Sequence, residues 1–273
     1  MKTILLVPLL AAVGALGLGA IPDGAPPFAP PQTVTVAAGE VSWRPLGNFS
    51  QEGKARTPRR VVLAVPGFEI MKHQVSRDQY STCVAAGACA AVPAVGGSLP
   101  QTQVNWQDAT AFAAWYSELT KQAWRLPTEA EWQLAAAERY GDAAADAGAR
   151  DPGERMLSAY ANGVFLRGSA GSAPRPAGGY GENSLGVADM GGNIWEWTDG
   201  CMVNGRLAAD GTVVQSDPYC GVRIAGGRHR AAVIDFVRDA SVGGCAVGLP
   251  PDHLGFRLVR DAGAPDRNGP AVW

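Results

Sequence analysis

The sequence predicts one α+β domain with much irregular backbone, and three observations carry that reading. Glycine and proline are abundant: 35 Gly in 273 residues is roughly 13%, against about 7% in average usage, and 20 Pro are added to it. Residues 33–75 are rich in β-formers that alternate with polar residues, as strands do. Further along, helix-start signals of the Ser/Thr-x-x-Glu/Gln kind precede apolar residues at helical spacing. So much Gly and Pro argues against a helical bundle, and a hydrophobic content of 47% excludes wholesale disorder. With 23 Lys+Arg against 25 Asp+Glu the formal charge is −2, so the basic excess of a nucleic-acid-binding domain is absent.

Met1–Ala20 reads as an export signal: Lys2 precedes a run from Ile4 to Leu18 that carries no charge. About 15 apolar residues are short for a membrane span and suit the apolar stretch of a secretory signal, with an uncleaved N-terminal anchor as the competing reading. Cleavage after Gly17 or Ala20 would serve, because both are small. Residues 21–32, with prolines at 22, 26, 27, 30 and 31, read as an extended tether. The mature chain is thus expected in the periplasm or outside the cell, with no membrane attachment after cleavage.

Val34–Val36, Val41–Trp43 and Val61–Val65 are the expected strands. Ser76 with Gln79 opens a helix that Gly87 stops. A second helix runs from near Asn105 to about Lys121, with Ala109, Phe112, Ala113 and Tyr116 on one face. Thr128, after Pro127, caps a third together with Glu131. Residues 140–183 read as a long surface segment with a short helix around Glu154–Tyr160. Residues 184–260 return to short apolar stretches among glycines, and 261–273 read as a frayed tail. No internal repeat or dividing linker is visible.

An exported chain meets oxidising conditions, where disulfides persist. None of Cys83, Cys89, Cys201, Cys220 and Cys245 forms a C-x-x-C pair, which removes zinc-ribbon, thioredoxin and haem-attachment readings. Cys83 and Cys89 flank the helix end at Gly87 and can be joined; Cys201 and Cys220 bracket a polar loop and form the next pair. Closing these loops stabilises by roughly 2 and 3 kcal/mol on the chain-entropy account. Cys245 is then left over, and a Cys220–Cys245 pairing stays open. His73, His229 and His253 show no paired metal-ligand spacing, and the sequence has no G-x-S-x-G elbow, Walker loop or dinucleotide fingerprint.

The densest segment is Gly186–Trp197, where a Gly-Gly-Asn turn leads into Trp195-Glu196-Trp197. Asp189 and Glu196 with loop carbonyls could hold a hard cation such as calcium; a structural turn with both tryptophans in the core is the competing reading. Together with Trp124–Trp132, Gly226-Gly227 and Gly255–Arg260, this segment resembles the sulfatase-modifying-factor, or formylglycine-generating-enzyme, superfamily over roughly residues 33–260. The resemblance implies a C-type-lectin-like α+β fold. It also implies a structural calcium on the side chains of Asp189 and Glu196 and the carbonyls of Gly192 and Ile194.

One departure stands out. The family's oxidases follow Gly-Gly-Ser with two copper-binding cysteines five apart, and the matching positions here are Ala231 and Phe236. Neither can replace a thiolate, the soft ligand that selects Cu(I), so no copper is expected there. The chain is similar instead to exported members without the pair, some serving pyoverdine siderophore maturation and some accompanying copper nitrite reductase. That resemblance implies a maturation or accessory factor binding a peptide or protein client, expected at Trp195, Arg228, His229 and Arg230; the polar segment these last three share with Asp235, Arg238 and Asp239 suits an anionic or hydrogen-bonding ligand, and an ion-paired surface loop is its competing reading. The alternatives are an oxidoreductase acting on a peptide or small metabolite, with His229 and Cys245 as catalytic candidates, and an oxidase for sulfatases with rearranged ligands.

Overall fold

A computed structural model describes residues 30–94, 96–141, 173–237 and 248–262. The expected signal, most of the tether, the helix around Glu154–Tyr160, Arg238, Asp239, Cys245 and nearly all of the tail lie outside the described residues.

Six short strands come first: β1 (Thr33–Val36), β2 (Gly39–Trp43), β3 (Gly47–Gln51), β4 (Lys54–Ala55), β5 (Val61–Val65) and β6 (Phe68–Met71). Among the described residues three α-helices follow: α1 (Arg77–Ala85), α2 (Trp106–Thr120) and α3 (Glu129–Ala136). Each opens on a complete capping box, Ser76 with Gln79, Asn105 with Asp108, and Thr128 with Glu131. The boxes satisfy amide groups that a helix start leaves without partners. At the end of α1 the chain turns through Gly87 at φ +73°, and Cys89 returns to within disulfide reach of Cys83.

The second half departs from the sequence reading. Where only short apolar stretches were expected stand the two longest strands among the described residues, β7 (Trp195–Leu207) and β8 (Val213–Gly226), paired as an antiparallel hairpin. Every residue from Val213 to Tyr219 is exposed, so no buried face imposes the alternation by which a strand is read. β3, β4 and β9 (Arg230–Ile234) extend this sheet in the order β4-β3-β7-β8-β9, and β10 (Leu254–Gly255) adds to β7 in parallel. A second sheet runs β1-β6-β11, with β11 spanning Val259–Asp261, and β2 pairs with β5.

The core has two parts. One gathers Tyr80, Phe112, Tyr116 and Phe256 in stacked and edge-on contacts between α1, α2 and the segment before β11. The other packs α3, through Trp132, Ala135 and Ala136, against Val36, Phe68 and Ile70 of the β1-β6-β11 sheet. Among the described residues no helix is long and apolar enough to cross a membrane.

Candidate functional site

Strand alternation sets the first three residues of β7 on opposite faces. Trp197 is buried and donates its indole N–H to the Val104 carbonyl (2.8 Å). Glu196 points the other way into the interior, 1% exposed, where four donors meet its two oxygens. Oε1 accepts from Gln74 Nε2 (2.8 Å) and Arg257 Nη2 (2.7 Å); Oε2 accepts from Trp132 Nε1 (2.9 Å) and Arg257 Nε (2.7 Å). Arg257 donates its remaining N–H groups to the carbonyls of Met71, Lys72 and Ala188. All five guanidinium hydrogens and all four carboxylate lone-pair positions are therefore used.

Glu196, expected as a calcium ligand, is here the counter-ion of a fully buried arginine. Of the remaining expected ligands, Asp189 is buried at φ +60°, and its two oxygens accept from the amides of Gly178 (2.7 Å) and Tyr180 (2.8 Å). The Gly192 carbonyl accepts from the Ile194 amide (2.8 Å). Among the described residues no three His, Cys, Asp or Glu side chains come together as a metal-holding group.

Trp195, half-buried, faces an open groove of about 600 Å³ that is also lined by Arg139, Tyr180, Gly227, Arg228 and His253. The paired glycines make this wall possible. A Cβ on Gly226 would lie 2.4 Å from the Trp132 ring, and one on Gly227 would lie 2.7 Å from the Trp195 ring. Both indoles lie against bare backbone, one on each side of the strand end.

The expected ligand-binding residues divide. Trp195 and Arg228 line the groove. His229 stands edge-on to Trp195 (centroids 5.1 Å apart), and its Nδ1 lies 2.8 Å from the Arg230 carbonyl, which sets the proton on Nδ1. Arg230 does not join them. Its side chain is buried, pairs with Glu129 at the start of α3 (2.8 Å) and donates to the Arg44 carbonyl (2.9 Å), fastening β9 to the helix.

Of the other two histidines, His253 reaches the groove while His73 lies elsewhere beneath Gly178. Burial pulls the His73 imidazole below its ordinary range, against a partial upward pull from Asp189. At the positions of the family's copper ligands, Ala231 lies in β9 opposite Ala225, and Phe236 contributes a carbonyl that accepts from Asn105 Nδ2 (2.7 Å). Hydrocarbon side chains offer no soft ligand, so these residues do not fit copper.

The sequence reading missed Arg257 as the partner of Glu196, and it missed Arg139, Tyr180 and His253 as groove residues. A signal for the first was present: an arginine inside Leu254-Gly255-Phe256-Arg257-Leu258-Val259 cannot be buried without an acid.

Residues 21–262 match the sulfatase-modifying factor enzyme 1-like domain. The chain belongs to this family. It is 30% identical to the formylglycine-generating enzyme of Mycobacterium tuberculosis over 184 residues, covering 59% of this chain and 57% of that protein. It is 29% identical to the inactive C-alpha-formylglycine-generating enzyme 2 of Mus musculus, over 61% of this chain and 51% of that protein. The chain thus spans about half the length of these curated relatives. The fold is similar to that of Treponema denticola variable protein 1, with a TM-score of 0.50, 17% identity, and 84% and 94% of the two chains covered. Within the family this chain carries disulfide pairs rather than a free cysteine pair at the copper positions.

Proposed function

We propose that the chain is an exported maturation or accessory factor that binds a peptide or protein client in the groove at Trp195. The observation that carries this reading is the groove wall: an indole and a phenol beside the cations Arg139 and Arg228. Aromatic faces give large contact area at low entropic cost, and guanidinium forks take carboxylates in pairs. A client segment with an acidic side chain beside an apolar one fits that wall. Ala231 and Phe236 support binding without the family's copper oxidation, and a relative named as inactive belongs to the same family. We read the fold itself as C-type-lectin-like.

The test is selection of displayed random peptides on the mature chain. Convergent sequences should lose about tenfold or more in affinity on Arg228→Glu. They should bind normally to Glu118→Lys, which alters an exposed side chain of α2. Failure to converge, or equal loss in both variants, counts against the groove.

The same proposal keeps calcium at the Asp189–Glu196 loop, on Asp189, Gly192, Ile194 and Glu196. Chelation should lower the melting temperature of the parent, and calcium should restore it. Asp189→Ala should lose the response. Melting that ignores chelation would remove the ion from the account.

A further inference from the structure

The chain holds two disulfides in opposite settings. Cys83–Cys89 lies in the hydrophobic core, its cysteines 0% and 8% exposed. Cys201–Cys220 bridges β7 and β8 at a half-buried position and has a cation beside it: Arg223 Nη1 lies 3.6 Å from Cys201 Sγ. That guanidinium stacks over the Trp106 ring (3.5 Å from its centroid) and is only partly neutralised. Its Nε is buried without a hydrogen-bond partner. The carboxylate of Asp235 is 3.8 Å away, and its own Oδ1 is buried and unpartnered. Asp235 Oδ2 instead accepts from Gln107 Nε2 (2.6 Å).

We propose that Cys201–Cys220 is a thiol-exchange site that takes a client thiolate at Cys220 and releases Cys201 as a thiolate beside Arg223. A neighbouring guanidinium favours the thiolate of the cysteine it faces, and the better leaving group directs attack to the other sulfur. The client sulfur bonds to Cys220 Sγ while the Cys201–Cys220 bond breaks, its electron pair leaving on Cys201 Sγ. A second client thiolate then attacks the client sulfur of the mixed disulfide and releases Cys220. The client dithiol loses two electrons to become a disulfide, the protein disulfide gains those two, and the two thiol protons end on Cys201 and Cys220.

The backbone is built to survive this opening. Cys201 stands opposite Arg223 and Met202 opposite Tyr219, so residues 220, 221 and 222 form a bulge with no counterpart on β7. That bulge is held independently from the other side. Val222 pairs with Ile234 of β9, and the Asp235 amide donates to the Gly221 carbonyl (3.0 Å). The thiol that exchanges here need not be held in the groove, so the exchange and the groove stand or fall by separate tests.

The experiment equilibrates the mature chain in glutathione buffers of graded redox ratio, followed by alkylation and peptide mapping. Cys201–Cys220 should reduce at a ratio about tenfold or more oxidising than Cys83–Cys89 requires, with the far-UV spectrum unchanged. Arg223→Gln should shift its equilibrium about threefold or more toward the disulfide. Asp235→Asn removes the competing carboxylate and should shift it the opposite way, which keeps the test alive if Arg223→Gln fails to fold. Rapid quenching should place the first mixed disulfide on Cys220. Glutathione and a peptide with one cysteine, compared at equal thiolate concentration, tell a small thiol from a peptide thiol by which reacts faster. Bridges that reduce together, a first adduct on Cys201, no adduct with either thiol, or an equilibrium that ignores Asp235→Asn would each overturn the proposal.

Discussion

Glu196–Arg257 and Asp235–Arg223 are both carboxylate–guanidinium pairs, yet they sit in the molecule quite differently. The first is two-pronged at 2.7 Å and fully buried, and every donor and acceptor on both side chains is used. The second is separated by 3.8 Å, its side chains are 14% and 11% exposed, and each partner has a buried polar atom left over. Burial pushes the Asp235 carboxyl up, with Gln107 and Arg223 only partly offsetting it. Burial likewise pulls the Arg223 guanidinium down, with Asp235 and Asp199 opposing. Saturation is what separates the two. A saturated pair holds the chain together. An under-paired one keeps part of its field for a neighbour, here a disulfide.

If the saturated pair is scaffold, breaking it should give the largest loss in the molecule. Arg257→Met leaves Glu196 buried with its charge uncompensated and frees carbonyls from three residues, so a loss of about 3–5 kcal/mol is expected in urea unfolding. An unchanged midpoint would mean that water already reaches the pair. Gly226→Ala comes next, because it presses a methyl group into the Trp132 indole that donates to Glu196. Overpacking of this kind costs about 1–3 kcal/mol. Gly227→Ala should cost less, since the Trp195 ring it meets faces the open groove and can swing.

The contrast also explains how much could be read in advance. Caps are local: Ser76 and Gln79, or Thr128 and Glu131, are three residues apart, and both ends of the interaction fall in one glance at the sequence. The Cys83–Cys89 bridge is legible for the same reason, with six residues of separation and a glycine at the turn. Glu196 is not, because its partners lie 61, 64 and 122 residues away. The motifs that identify the family are largely this network seen in pieces. Trp132 ends the first, Trp195-Glu196-Trp197 ends the second, and Arg257 sits in the last. Strong motif signals around an acid marked Glu196 as important without showing that Arg257 is its counter-ion. The groove was legible only through Trp195 and Arg228. Arg139, Tyr180 and His253 come to it from segments with no local signature.

A smaller effect tests saturation through pH. Glu131 caps α3 and takes a two-pronged pair from Arg125 (2.7 Å each). Burial alone would raise its carboxyl, but Arg125 and the Thr128 groups outweigh that and hold it below the ordinary value. A folded-state value below the unfolded one adds stability that is present above the unfolded value and lost as pH falls through the folded one. Glu131→Gln should cost about 1–2 kcal/mol at neutral pH, and the gap to the parent should close on acidification. A gap independent of pH would mean that the amide replaces only shape and the charge adds nothing.

Asp235 should behave in the opposite sense, and with the smallest magnitude. Its carboxyl is raised by burial, so the folded state prefers the protonated form. The stability this contributes is present below the unfolded value and is lost as pH rises through the folded one. At neutral pH the ionised side chain is therefore a burden on the fold, with one oxygen buried and unpartnered and a guanidinium too far away to compensate. Asp235→Asn keeps an oxygen to accept from Gln107 Nε2 and removes the charge. It should stabilise the chain by no more than about 1 kcal/mol at neutral pH, because the exposed side of the pair is screened by water. The gain should vanish in acid, where the parent is itself neutral. A variant less stable than the parent at neutral pH would show that the 3.8 Å pair is worth more than the burial it requires, and the contrast between the two pairs would fail at its weaker end.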